Sequence, residues 1–342
     1  MTKQGASKLR IRKIDDMHVH LRQDEMLESV LPYTALQCER ALVMPNLTPP
    51  VLSAKDVINY RQQIMQVLSS TNGKFFAPLM TFKIVPSTSA AEIDGLKQAG
   101  AIAGKLYPDG VTTNSQGGVS DFKALYPVYK AMEECGLVLC LHGEMPNAFS
   151  LDREMEFLSV LKDIASSFPK LRIVLEHATT RDAIECVKAL PSNVACTLTV
   201  HHMYLTLDDV IGGGLNPHAF CKPVAKRPGD RLAIIDAALS GNPKFFLGSD
   251  SAPHAVSAKE NACGAAGVYT APVLVPALCQ IFEDYGTIAK LEPFTSQFAA
   301  EFYNLPLNQH SIEIVKEPWK VPDTCGSVKP FLAGQTLSWK VI

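Results

Sequence analysis

Short apolar runs alternate with longer amphipathic stretches along nearly the whole chain, and this rhythm constrains the fold more than any other feature. The runs fall at 9–14, 40–44, 76–81, 101–106, 137–141, 172–175, 194–198 and 244–247. Helical patterns occupy many of the gaps, at 54–68, 90–98, 122–134, 153–167, 180–190 and 230–239. Repeated strand–helix–strand units require crossover connections and therefore imply a parallel sheet. Eight strands of this kind fit an α/β fold of the closed (β/α)8 TIM-barrel type. An open doubly wound sheet usually carries a Gly-rich phosphate turn after its first strand. Here the first run leads instead into Asp15-Asp16-Met17-His18-Val19-His20-Leu21-Arg22, and neither GxGxxG nor GxxxxGK[ST] occurs.

Further helical patterns at 271–285 and 295–303 follow the eighth run. The last stretch, 311–342, alternates apolar and polar residues around Trp319 and Trp339 and predicts a small extension of short strands packed beside the barrel. No repeat, linker or low-complexity segment divides residues 1–342, so one domain is expected. With 32 basic against 34 acidic residues there is no basic field to attract nucleic acid. The polar N-terminus and the absence of a long apolar run argue against a signal peptide or a membrane span. Nine scattered cysteines without a CxxC pair read as buried free thiols in a reducing, cytoplasmic setting.

The positions of the polar residues carry the functional signal. His18 and His20 follow the first run, Asn46 the second, Lys105 ends the fourth, His142 follows the fifth, His177 the sixth and Asp250 the eighth. In a (β/α)8 barrel these strand ends converge on one mouth, where active sites lie. Side chains at i and i+2 of an extended segment point the same way, so His18 and His20 can reach one metal with Val19 turned into the core. Arg22 shares their parity. Imidazole and carboxylate ligands suit zinc. A desolvated Lys105 has a lowered pKa and a nucleophilic amine, able to add carbon dioxide as a bridging carbamate. Asp250 is a candidate ligand that also shuttles a proton, and His254 sits in the same loop. His201 and His202 are expected in rim or packing roles, and no GxSxG elbow supports a serine hydrolase.

Taken together, these motifs resemble the type II dihydroorotases of the amidohydrolase superfamily. The resemblance runs from Asp16-Met17-His18-Val19-His20-Leu21-Arg22 and Val43-Met44-Pro45-Asn46-Leu47 through Lys105-Leu106-Tyr107-Pro108 and Thr112-Thr113-Asn114-Ser115. It continues in Leu141-His142-Gly143-Glu144, Glu176-His177-Ala178-Thr179-Thr180, Gly248-Ser249-Asp250-Ser251-Ala252-Pro253-His254 and Pro330-Phe331-Leu332-Ala333-Gly334. It implies two zinc ions, one on His18, His20 and Asp250 and the other on His142 and His177, bridged by carboxylated Lys105. Arg22, Asn46 and His254 are implied to bind the substrate carboxylate. The backbones of Lys222 and Ala266 would meet the ring amides, and Thr112 and Thr113 would tip a mobile loop. Position 222 is a lysine where bacterial members of the family carry an apolar residue, which matters little if only its main chain is used.

The implied reaction is reversible cyclisation of N-carbamoyl-L-aspartate to L-dihydroorotate in pyrimidine synthesis, by a homodimer. Two alternatives stand beside it. One is another cyclic amidohydrolase (hydantoinase, dihydropyrimidinase or allantoinase), against which Arg22 and Asn46 speak. The other is a non-catalytic barrel acting as an assembly partner, against which the filled ligand positions speak.

Overall fold

The structure, a computed structural model, describes residues 7–71 and 75–342. Its first elements are β1 (Lys8–Arg12), β2 (Ile14–Val19), α1 (Asp24–Gln37), β3 (Cys38–Val43), α2 (Ala54–Ser69), β4 (Ala77–Ile84), α3 (Ile93–Gln98) and β5 (Ala101–Leu106). Then come α4 (Tyr126–Cys135), β6 (Val138–His142), α5 (Arg153–Ser167), β7 (Ile173–Glu176), α6 (Arg181–Ala189), β8 (Val194–Leu198), α7 (Val200–Tyr204) and α8 (Leu207–Ile211). The remainder is α9 (Pro228–Leu239), β9 (Phe245–Leu247), α10 (Val256–Lys259), α11 (Leu274–Asp284), α12 (Phe298–Tyr303), β10 (Ser311–Val315), β11 (Trp319–Lys320), β12 (Thr336–Leu337) and β13 (Lys340–Val341).

Strands β2 to β9 form one eight-stranded sheet in sequence order, and every neighbouring pair is parallel. The two edges meet where the Asp250 N–H donates to the His18 carbonyl at 2.8 Å and the His20 N–H to the Ser251 carbonyl at 3.0 Å. This is the (β/α)8 architecture that the alternation predicts.

The barrel's first strand differs from the expected 9–14. Residues Lys8–Arg12 pair antiparallel with β10 in the C-terminal sheet, which β13 completes. The barrel strand begins at Ile14 and is buried throughout. Its two aspartates obscure it in the sequence, because a buried carboxylate needs partners that sequence does not show. Asp15 is gripped by Arg40 at 2.6 and 2.8 Å and by Asn308 at 2.8 Å. Asp16 accepts from the Ser249 main chain at 2.7 Å and its hydroxyl at 2.5 Å. The sequence pattern also passed over α1, which carries Pro32 within it.

Side-chain alternation sorts the barrel residues into two layers. Leu139, Leu141, Ile173, Leu175, Leu198 and Leu247 face outward and join the helices in the large core. Ala103, Val138, Cys140, Val174, Ala195 and Phe246 fill the interior. From below, α12 plugs the interior with Ala299 and Tyr303, whose hydroxyl lies 3.5 Å from the Cys140 sulfur. On β2 the register shifts between Asp16 and Val19, so Met17 belongs to the interior while Val19 joins the outer core.

Candidate active site

The inward register of each strand continues from apolar filling into chemistry. Lys105 follows Ala103 by two residues, His142 follows Cys140 and Glu176 follows Val174, each on the interior face. His177 and Asp250 lie just past their strands with φ of 42° and 44°, and Arg22 has φ of 59°. Non-glycine residues adopt this left-handed backbone at a cost, and such strain collects at functional sites. Two devices hold it in place. The His177 N–H donates to the Thr197 hydroxyl at 2.7 Å. Beyond it, the buried Glu154 carboxylate accepts from the main chains and hydroxyls of both Thr179 and Thr180 at 2.6–3.0 Å.

The imidazoles gather at one point. Ring centroids lie 5.3 Å apart for His18 and His20, 5.0 Å for His18 and His177, and 4.7 Å for His142 and His177. Asp250 Oδ1 stands 3.0 Å from His20 Nε2 and 3.4 Å from His18 Nε2. Burial, with nearby positive charge, lowers the pKa of His18, His20 and His177, so these rings are neutral and keep a lone pair.

Glu176 fixes which lone pair of His18 is free. Burial alone would raise its pKa, but His18 and Lys105 outweigh that and pull it down to about 2. The ionised carboxylate accepts from the Thr197 hydroxyl at 2.6 Å and from His18 Nδ1 at 2.8 Å. With its proton on Nδ1, neutral His18 turns a bare Nε2 toward an Asp250 oxygen 3.4 Å away. Two acceptors facing each other in a buried site call for a cation, and His18, His20 and Asp250 offer ligand atoms all within 4.8 Å of one another. On the other side, His142 Nε2 bonds Glu144 at 2.7 Å, leaving Nδ1 for the centre. His177 Nδ1 and Lys105 Nζ are buried with no hydrogen-bond partner among the described residues. Burial lowers the pKa of Lys105, and its Nζ stands 5.1 Å from the Tyr107 ring centroid. The donor set of His18, His20 and Asp250 thus fits a metal ion.

His18, His20, His142, His177 and Asp250 line a polar cavity together with Arg22, Asn46, Tyr107, Thr112, Thr113, Lys222 and Ala266. Its free volume is about 20 Å³, room for one or two waters. Arg22 is oriented by the Pro253 carbonyl at 3.1 Å and lies 3.1 Å from His254 Nε2. That nitrogen is also 3.1 Å from the Ala266 carbonyl, so its proton state decides which neighbour it serves. Burial and then Arg22 depress the His254 pKa to about 3, keeping the ring neutral.

The loop that carries Thr112 and Thr113 is closed over the cavity. Asn46 Nδ2 donates to the Thr113 carbonyl at 3.2 Å, the Thr113 hydroxyl to the Ala266 carbonyl at 3.3 Å, and Asn114 Nδ2 to the Asn46 carbonyl at 3.0 Å. Lys83 Nζ ties the loop from below through the Asn114 carbonyl at 2.8 Å. Outside it opens a larger cavity of about 640 Å³, which shares Thr112, Thr113, Lys222 and Ala266 as a wall.

Of the residues expected at the site from the sequence, all but Lys105 and His254 line this cavity, and those two stand directly behind lining residues, Lys105 beside Tyr107 and His254 beside Arg22. His201 and His202 sit just behind it on α7, buried beside Cys221. His202 engages Thr199 at 2.7 Å and the Pro223 carbonyl at 3.1 Å, and burial, reinforced by Lys226, lowers its pKa to about 4. Burial pushes the Cys221 thiol up to about 12, which leaves it inert as a nucleophile. Glu144, Glu176 and Tyr107 fall within the motifs of the resemblance without a role of their own, and Glu154 falls in none of them. Strand parity was the available signal for Glu176, two residues beyond an interior valine.

The amidohydrolase family profile matches residues 16–192 of the chain. A dihydroorotase from Teredinibacter turnerae is 44% identical over 341 residues, which cover 97% of this chain and 98% of that protein. The crystal structure of dihydroorotase from Saccharomyces cerevisiae in complex with 5-fluoroorotic acid superposes with a TM-score of 0.92 at 38% identity, covering 98% of this chain and 99% of the other. An L-hydantoinase from Arthrobacter aurescens shares the fold, with a TM-score of 0.82, at 16% identity over 97% of this chain and 82% of its own. Identity sustained at that level along nearly the full length of both chains means that this chain belongs to the dihydroorotase family of amidohydrolases.

Proposed function

We propose that this chain closes N-carbamoyl-L-aspartate to L-dihydroorotate, and reopens the ring, as a zinc-dependent step of pyrimidine synthesis. One observation supports the reading above others: neutral imidazoles and the Asp250 carboxylate converge on a cavity that Arg22 and Asn46 also line. His18, His20 and Asp250 would hold one zinc ion, and His142 and His177 the second. Lys105 would bridge them after its desolvated amine adds carbon dioxide, the carbamate giving an otherwise buried atom its partners. Bound there, the ions supply Lewis acidity at the ring carbonyl and acidify water from a pKa of about 15.7 to about 7.

The chain's own groups perform the remaining work. Arg22 offers its planar fork to the substrate's α-carboxylate, with Asn46 Nδ2 and His254 beside it. In ring opening, Asp250 takes a proton from the attacking water and passes it to the departing ring nitrogen. In ring closure the proton travels back along the same path. The main chains of Lys222 and Ala266, on the cavity wall, would meet the ring amides. Thr112 and Thr113 exclude bulk water while the loop is down.

The reading takes residues 1–342 as one domain and the working form as a cytoplasmic homodimer. No helix among the described residues is long and apolar enough to cross a membrane. Elemental analysis of the purified protein, paired with hydrolysis of dihydroorotate and of dihydrouracil, tests the assignment. The expected result is two zinc ions per chain and a strong preference for dihydroorotate, and a preference for dihydrouracil refutes it.

A further inference from the structure

Two separate stretches of main chain flank the ring site, 220–222 and 266–267, and one buried ammonium fastens them together. Lys259, the last residue of α10, is only 3% exposed. Its Nζ donates to the Phe220 carbonyl at 2.9 Å and to the Gly267 carbonyl at 2.6 Å. The Gly267 N–H donates to the same Phe220 carbonyl at 2.9 Å. Lys222 lies two residues from one anchor and Ala266 is adjacent to the other. The Ala266 carbonyl in turn meets His254 Nε2 at 3.1 Å and the Thr113 hydroxyl at 3.3 Å.

We infer that Lys259 is a positioning residue for ring recognition, setting the separation of the Lys222 and Ala266 main chains that the ring must bridge. The inference rests on the proposed dihydroorotase reading of the site and goes beyond it, since the Lys259 ammonium bonds two main-chain carbonyls outside the ligand set. Charge-assisted bonds to two carbonyls are about twice as strong as neutral ones. Among the described residues no carboxylate forms an ion pair with this ammonium, so the two carbonyls are what satisfies it. Gly267 reinforces the seam: an added Cβ there would stand 2.6 Å from the Ala252 carbonyl oxygen, so this stretch packs without slack. With the clamp removed, the two stretches lose their fixed spacing and the lid loses a rigid dock at Ala266. Neither hydrogen bond of the Lys259 ammonium reaches His18, His20, His142, His177 or Asp250, so the ligand set keeps its own contacts.

The test is Lys259→Ala in the metal-loaded enzyme. The dihydroorotate KM and the 5-fluoroorotic acid Kd are expected to rise about 10-fold, the scale of two lost charged hydrogen bonds shared over a binding surface. The expected kcat stays within about threefold of wild type, the scatter of a residue that does not act on the reacting atoms. Metal content is expected to match wild type. Lys259 also lines the outer cavity, so added ethylammonium has a route to the vacated position and is expected to lower the KM again. Lys259→Met, which keeps the aliphatic stem, is measured alongside and carries the test if the alanine variant does not fold. An unchanged KM and Kd overturn the inference, as does loss of kcat together with metal. Failure of the wild-type enzyme to turn over dihydroorotate strikes the functional reading instead, while 5-fluoroorotic acid binding still reads the clamp.

Discussion

Replacing Glu176 by glutamine isolates the contribution of one negative charge to metal binding. Both bonds to this side chain, from His18 Nδ1 at 2.8 Å and from the Thr197 hydroxyl at 2.6 Å, fall on the same oxygen, Oε2. An amide oxygen in that place keeps both bonds and the shape but loses the charge. Hydrogen bonds to charged groups are worth about 1.5–3 kcal/mol and neutral ones about half that. The two together therefore lose about 1.5–3 kcal/mol, of which His18 carries half through its weaker ligand basicity. That is a loss of metal affinity of about 3- to 12-fold, since each 1.4 kcal/mol is about a factor of ten. Competition against a chromogenic chelator reads it directly, with circular dichroism confirming the fold. The same variant should flatten the acid limb of stability. Glu176 has a folded pKa of about 2, below its ordinary value of 4.5. It therefore stabilises the wild type above that ordinary value, and the contribution fades as pH falls toward 2. Metal affinity within twofold of wild type would refute the argument that the charge of this carboxylate strengthens His18 as a ligand.

Other perturbations follow from the same geometry. In Gly248→Ala the new Cβ would lie 2.7 Å from the Thr197 Cβ and 3.1 Å from the His18 Cβ, so overpacking of about 1–3 kcal/mol is expected together with weaker metal retention. An alanine variant with unchanged thermal midpoint and zinc content defeats that expectation. Glu154→Gln puts an NH2 against threonine donors that now point at a carboxylate, with an expected loss of about 2–4 kcal/mol in urea unfolding. A change under about 0.5 kcal/mol, the range of a neutral surface substitution, contradicts it. Arg22→Met should raise the dihydroorotate KM at least about 30-fold, the lower end for breaking a buried charge pair. Activity on dihydrouracil, which lacks the carboxylate, should hardly change, and an equal loss on both substrates removes Arg22 from carboxylate recognition.

Much of the barrel was legible because interior strands of a parallel sheet are continuous apolar runs, and seven of the eight read that way. The eighth, β2, was displaced because two of its first three residues are aspartates, whose carboxylates are satisfied by Arg40, Asn308 and Ser249 from distant parts of the chain. The ligand positions were legible for the opposite reason: a histidine or lysine ending an apolar run breaks a pattern. Glu154 breaks no pattern, since it lies on an amphipathic helix, and Glu176 ends an apolar run directly beside a histidine that carries the same signal. Their roles depend on who stands opposite, and pairing across elements is tertiary information. The register shift in β2, which sends Met17 inward and Val19 outward, likewise leaves no trace in residue type.

The continuation of one strand face from filler to ligand ties two properties together. Cys140 and His142, like Val174 and Glu176, ride on the same rigid pleat, so any swelling or shrinkage of the apolar plug travels a single residue pair upward into the ring of imidazoles. Solidity and reactivity are therefore not separately adjustable in the barrel wall. New substrate preferences have to arise in the rim segments around 112–113, 222 and 266, where the polypeptide can change course without disturbing the staves beneath.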